Sequence, residues 1–291
     1  MEIGTRNVFT VFSLLPTVTK PPVAMGASKP IEKAPTYATS VHGDDGLGRL
    51  YRFRDDSGRH RYPEPLVTLS SRNALDEILF QISASPEPVT LVTLGPLTNI
   101  AGAIKKDSAL MARLKRIILM GGAVRSPGNV TPAAEFNVYT DPHAASIVFQ
   151  AGIPLTMIGL DVTRRVRFTP KVVSEKIAPR CTVLSQFICD STGDLFAFTK
   201  EREGMASVAL HDPLALGVAI DPSFVSVIPL HVEIETKGGL TEGMTVADER
   251  PLTPAWKKPP NAEVCLEVDA SRFLLFFLDR LCPRAPQESR S

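Results

Sequence analysis

Three short apolar runs, "VTLVTL" (89–94), "RIILMGG" (116–122) and "LTMIGLDVT" (155–163), constrain this chain more than any other feature, because none alternates polar with apolar residues. A strand that is apolar on both faces must be covered on both, as in a parallel sheet wrapped by helices. The spacers fit that requirement. Leu75, Ile78, Leu79 and Ile82 fall at i, i+3, i+4 and i+7, which predicts an amphipathic helix over about residues 71–84. A second helix is expected from Asn99, taken as its N-cap, to about Leu114. A third is expected at Asp141-Pro142, with the acid capping and the ring at the first helical position. The β-α-β-α-β order predicts an α/β fold with a mostly parallel, Rossmann-like central sheet flanked by helices.

Farther on, residues 183–203 are helical in pattern, Asp212-Pro213 opens another helix, and 225–235 and 263–269 alternate as half-exposed strands. The run 272–282 is apolar almost all round, which suits a core helix better than a subunit contact. The arginine-rich stretch 51–65 has the composition of a solvated excursion, and residues 1–22 show neither period.

Charge narrows the function. Lys+Arg 32 against Asp+Glu 31 leaves a formal +1, and the charges are scattered, so there is no basic face for nucleic acid or anionic membrane. No run reaches the roughly 18 apolar residues of a membrane span. Residues 8–18 are apolar enough for a signal-peptide core, but Glu2 precedes them and Pro16 interrupts them. Cys181, Cys189, Cys265 and Cys282 form no CxxC pair and no metal spacing, which points to a reducing, cytoplasmic setting.

Chemistry concentrates in three places. "GNVTPAAEFN" (128–137) leaves the carboxyl end of the second strand run, where ligands bind in parallel sheets. Asn129, Glu135 and Asn137 around Phe136 offer donors and acceptors for several hydroxyls, as a sugar requires; the plain alternative is a polar loop with Asx turns. In "LHDPLAL" (210–216), Asp212 before Pro213 suits an N-cap, whereas His211 at a helix terminus suits proton donation near neutral pH. In "VHGDDGLG" (41–48), two glycines bracket Asp44 and Asp45 in a tight turn from which His42 projects. His60, His143 and His231 fall in a charged loop or on polar faces, and Asp141 is expected to be a plain N-cap.

Together these segments resemble the inosine/uridine-preferring nucleoside hydrolase family. "VHGDDGLG", "TLGPLTNIA" (93–101), "LMGGAV", "AAEFN", "DPHAA", "GLDVT", "HDPLA" and "GMTVAD" (243–248) occur in that family's order, and the resemblance spans about Val23 to Leu281. It implies hydrolysis of the bond between ribose and nucleobase in inosine, uridine or similar nucleosides, by a homo-oligomer. Carried onto matching positions, Asn129 and Glu135 lie near the 5′-hydroxyl, and Asn137 lies near the 2′ and 3′ hydroxyls. Met120 floors the ribose, Asp212 and the Leu94 carbonyl ligate calcium, and Asp212 also holds a ribose hydroxyl. His211 and His42 approach the base, and Phe196 and Phe198 are the aromatics available to cover it.

One departure stands out. The family's aspartate cluster of the type DxDxGxDD is not present ahead of "PVAMG", so residues 1–22 are expected to be unmatched, 23–283 to form the hydrolase-like domain without its first βα units, and 284–291 to form a tail. Calcium takes 6–8 oxygens, more than Asp212 and one carbonyl supply. Two functions follow as expectations. One is a nucleoside hydrolase; the other is a catalytically impaired, truncated relative that binds ribosides or acts as an assembly partner.

Overall fold

A computed structural model describes residues 2–15, 19–36 and 39–281; Cys282 and the tail 284–291 lie outside the described residues. The three apolar runs form β1 (Thr90–Thr93), β2 (Arg116–Met120) and β3 (Leu155–Ile158). They are followed by β4 (Arg167–Phe168), β5 (Val208–Ala209), β6 (Val225–Leu230), β7 (Val232–Ile234), β8 (Thr245–Ala247) and β9 (Ala262–Val268). The main sheet has the order β1-β2-β3-β9-β6, parallel through β9, with β6 antiparallel at one edge. Two small antiparallel ribbons, β4-β5 and β7-β8, stand apart from it.

Alternate side chains of the parallel strands feed two cores, which explains runs that are apolar without alternation. Ile117, Leu119, Leu155 and Met157 pack with Leu79, Ile100, Ile104 and Val148 on one face. Ile118, Met120 and Ile158 pack with Ile188, Leu214, Val218 and Phe273 on the other. Each such buried side chain contributes about 1.5–3 kcal/mol. The helix Ala270–Leu281 packs one face on the second core through buried Phe273, while Leu275 is 65 % exposed, so it is amphipathic rather than buried all round.

The structure corrects several local expectations. Asn99 is not an N-cap: the helix begins at Thr98, and the Asn99 side chain accepts from the amide of Ala27 at 2.8 Å. That helix stops at Lys106, because Asp107 leaves helical geometry (φ −151°) and caps a separate turn, Ser108–Met111, through the amide of Leu110. The third apolar run is a strand only to Ile158; Gly159 turns the chain, and Leu160–Thr163 is helical. Far from being half exposed, β9 lies between β3 and β6 with Val264 and Cys265 fully buried. Residues Glu2–Leu14 form a helix despite their weak period, docked through buried Phe9 and a hydrogen bond from Asn7 to the carbonyl of Asp45. Packing of this kind, more than propensity, stabilises short helices. No helix among the described residues is long and apolar enough to cross a membrane.

Candidate active site

Residues 121–137 leave β2 and fold back into the turn Phe136–Thr140. Gly122 starts this loop at φ +79°, a conformation that favours glycine, with Met157 and Thr245 filling the space a Cβ would need. Glu135, 2 % exposed, is the N-cap of the turn. Its Oε2 accepts from the amides of Gly122 (3.0 Å), Asn137 (2.9 Å) and Val138 (3.2 Å). Burial pushes the Glu135 carboxyl up, and the three amides pull it back only in part. Asn129 Oδ1 accepts from the amide of Phe136 at 2.9 Å, and Asn137 Nδ2 donates to the carbonyls of Met120 (3.1 Å) and Leu94 (3.5 Å).

Each of these side chains therefore has one end fixed and one end free. Glu135 Oε1, Asn129 Nδ2 and Asn137 Oδ1 make no hydrogen bond among the described residues. Asn137 lies beside the carboxyl ends of β1 and β2, bonded to the Leu94 and Met120 carbonyls.

The helix His211–Ile220 follows β5, and its N-cap is Leu210, without a side-chain bond. Asp212 is thus not the cap. No hydrogen bond or ion pair holds its carboxylate among the described residues; Asp212 is exposed by area, yet the protein around it pushes the carboxyl up to about 6. Asp212 is near enough to Glu135 for the two charges to repel. His211 Nδ1 lies 2.7 Å from Thr163 Oγ1. Burial first, then Arg164, Arg167 and His42, push the imidazole of His211 down to about 4, so it is neutral at pH 7. His42 ends the short helix Thr39–His42 rather than projecting from the turn, and burial lowers it as well. Met120 is buried at the end of β2, while Phe136, half-buried, opens the turn that carries Asn137.

Phe196 does not serve as a base cover: it is buried in the core against Phe168, while Arg202 lies over Phe198. Sequence reasoning also missed the supports of the loop. Asp161 accepts from the amides of Val124 (3.0 Å), Arg125 (2.7 Å) and Ser126 (2.8 Å). Arg164 donates to Ser126 Oγ, the Pro127 carbonyl and the Gly128 carbonyl, all at 2.7 Å. Thr245 pins Ala123 through both its amide and its carbonyl. The available signal was position, since Asp161 follows the end of a buried strand, where a carboxylate is costly unless used.

The stretch 51–65, expected to be a solvated excursion, is tied down in the structure. Asp194 on the helix Val183–Glu203 pairs with Arg49 (2.6 Å) and Arg52 (2.7 Å). One turn earlier, Asp190 accepts from Arg61 (2.7 Å) and Tyr62 (2.9 Å). Asp45 accepts from the amides of Leu47, Arg49 and Leu50, which is the turn chemistry expected of that stretch. Asp141 is an N-cap as expected, bonded to the amide of Ala144, and it also accepts from Thr98 and the amide of Ile31.

The donor set does not fit a calcium ion. Asp212 and the Leu94 carbonyl supply two oxygens, the carbonyl is already engaged by Asn137, and the described residues hold no group of three or more His, Cys, Asp or Glu suited to a metal.

The sequence profile described as inosine-uridine preferring nucleoside hydrolase matches residues 1–275. The chain is 36 % identical over 279 residues to the pyrimidine-specific ribonucleoside hydrolase RihA of Salmonella paratyphi C, covering 95 % of this chain and 84 % of that protein. Among solved structures it resembles the purine-preferring ribonucleoside hydrolase from Gardnerella vaginalis, with TM-score 0.86, 31 % identity, and 97 % and 86 % of the two chains covered. It also resembles an inosine-guanosine nucleoside hydrolase, with TM-score 0.84, 26 % identity, and 98 % and 87 % covered. A profile match over nearly the whole chain, agreeing with the strand-end site, places this protein in the inosine-uridine preferring nucleoside hydrolase family.

Proposed function

We propose that this chain cleaves the N-glycosidic bond of ribonucleosides such as inosine or uridine, releasing ribose and the free base, at the carboxyl edge of β1 and β2. The observation that carries the proposal is the set of free polar ends on fixed side chains: Glu135 Oε1, Asn129 Nδ2, Asn137 Oδ1 and the unpartnered Asp212 carboxylate. In this reading Asn129 and Glu135 hold the 5′-hydroxyl, Asn137 and Asp212 hold the 2′ and 3′ hydroxyls, and Met120 and Phe136 pack beneath the ring. When the bond to the base breaks, positive charge develops at the sugar, and the carboxylates of Glu135 and Asp212 oppose it in a low-dielectric site. The base departs with the bonding electrons toward His211 and His42, where an N–H donor stabilises it; solvent protonates the base, and a water adds at the anomeric carbon and loses a proton, giving ribose.

Family resemblance implies calcium, with Asp212 and the Leu94 carbonyl as its ligands. Those two groups do not complete a calcium shell, so no step is assigned to the ion. Turnover that does not respond to added calcium is the corresponding expectation. The alternative of a relative that only binds ribosides or serves in assembly is not favoured, because relatives matching 95 % of the chain are themselves ribonucleoside hydrolases. Similar proteins are described as pyrimidine-specific in one case and purine-preferring in another. A cytoplasmic homo-oligomer belongs to the same proposal, the location resting on the cysteine usage.

The test is release of free ribose from inosine and from uridine, with and without calcium, beside Asp212→Ala. Ribose release that depends on Asp212 supports the proposal. Release that survives Asp212→Ala unchanged, or no release from any ribonucleoside, overturns it.

A further inference from the structure

The segment 160–164, just past β3, touches both halves of the site. Asp161 and Arg164 grip the ribose-side loop by its amides and carbonyls. Between them Thr163, with no exposed surface, places Oγ1 2.7 Å from Nδ1 of His211. A buried hydroxyl has to donate somewhere. The carbonyl one helical turn back, that of Gly159, already accepts the amides of Thr163 and Val162, and among the described residues Nδ1 of His211 is the one acceptor bonded to this hydroxyl. The other ring nitrogen, Nε2, has no hydrogen-bond partner among the described residues.

A neutral imidazole carries one ring proton, and the partner of one nitrogen decides which nitrogen bears it. We infer, resting on the hydrolysis proposed above, that Thr163 is a positioning residue which donates its hydroxyl proton into Nδ1 and keeps the ring proton of His211 on Nε2, facing the departing base. Giving up that proton would leave an imidazolate, so Nε2–H serves as a hydrogen-bond donor and the proton that neutralises the base comes from solvent. Arg164, one residue on, serves the sugar side instead. One short segment thus sets the distance between the ribose loop and the group that meets the base.

The experiment is nitrogen-15 NMR of the imidazoles in the ligand-free chain near pH 7, with the His211 signals assigned by their loss in His211→Gln. Wild type should show a pyrrole-like Nε2 and a pyridine-like Nδ1. Thr163→Val should mix the tautomers and lower kcat about tenfold with KM nearly unchanged, as expected for a lost hydrogen bond, and Thr163→Ser should restore both. Arg164→Gln should raise KM while leaving the His211 nitrogen shifts as in wild type. A wild-type ring protonated on Nδ1, or Thr163→Val with unaltered shifts and kcat, would overturn the assignment. If wild type shows the Nε2–H signature but releases no ribose, the tautomer assignment stands and the hydrolysis proposal fails.

Discussion

Two regions of the molecule, the loop 121–137 and the stretch 43–62, are held in place differently. The ribose-side loop, residues 121–137, is held almost wholly by hydrogen bonds that involve backbone: three amides on Asp161, three on Glu135, two carbonyls on Arg164 and both polar groups of Ala123 on Thr245. The stretch 43–62 has three of its amides on Asp45 and is tied to the helix Val183–Glu203 by ion pairs of Arg49 and Arg52 with Asp194 and of Arg61 with Asp190. Bonds to buried backbone, such as those at Gly122, Ala123 and Asn137, are costly to break and insensitive to salt, whereas the pairs on half-exposed Asp194 are worth about 0–1 kcal/mol and are screened; Asp190, 7 % exposed, is shielded more. Under the function proposed above, the loop fixed by backbone bonds is the one assigned to ribose, the part that all ribonucleosides share.

The contrast can be broken most forcefully at Glu135. Glu135→Ala leaves the amides of Gly122, Asn137 and Val138 without their acceptor in a buried place, and should cost about 3 kcal/mol or more in denaturant unfolding. A loss below about 1 kcal/mol would mean that the loop 121–137 is as loosely held as the stretch 43–62. Next in size is Gly48→Ala. Gly48 has φ +77°, and a Cβ there would come within 2.5 Å of the Ser191 carbonyl, so the substitution should lift the stretch 43–62 from its helix and cost about 1–3 kcal/mol. It should weaken nucleoside binding while leaving binding of free ribose nearly intact, which titration calorimetry with each ligand would read.

Asp212→Asn is expected to act in the opposite direction on stability. Its carboxyl, pushed up to about 6 from an unfolded value near 3.8, makes the wild type lose stability as pH rises between those values. The amide carries no such cost. The variant should therefore melt higher than wild type above about pH 6, the advantage should vanish below about pH 4, and ribose release should be lost. Scanning calorimetry at the two pH values decides it. The smallest effect belongs to Asp194→Asn, which weakens the pairs with Arg49 and Arg52: at most about 1 kcal/mol at low salt, disappearing near molar salt. A loss that persists at high salt would show that these pairs are not screened.

Strand runs were legible in the sequence because burial on both faces leaves an unbroken apolar signature, and the long helix 183–203 because its pattern is sustained. Boundaries set by tertiary bonds were not. Asn99 looks like a cap but spends its side chain on Ala27, and "LDVT" continues an apolar strand in composition while Gly159 turns it into a helix. The loop carrying Asn129, Glu135 and Asn137 was visible from its place after a strand, yet their division into one fixed end and one free end was not, since it depends on amides that only the folded loop presents. Asp161, Thr163 and Arg164 were invisible as supports for the same reason. Their partners lie 35 to 48 residues away in the chain.

Amide hydrogen exchange of the ligand-free chain, followed by mass spectrometry at low and high salt, tests the difference between the two regions most directly. Amides of residues 121–138, including Gly122, Ser126 and Asn137, should exchange slowly and alike at both salt concentrations. Amides of residues 49–62 should exchange faster and accelerate further in high salt. Equal protection of the two stretches, or a salt response confined to the ribose side, would contradict the account.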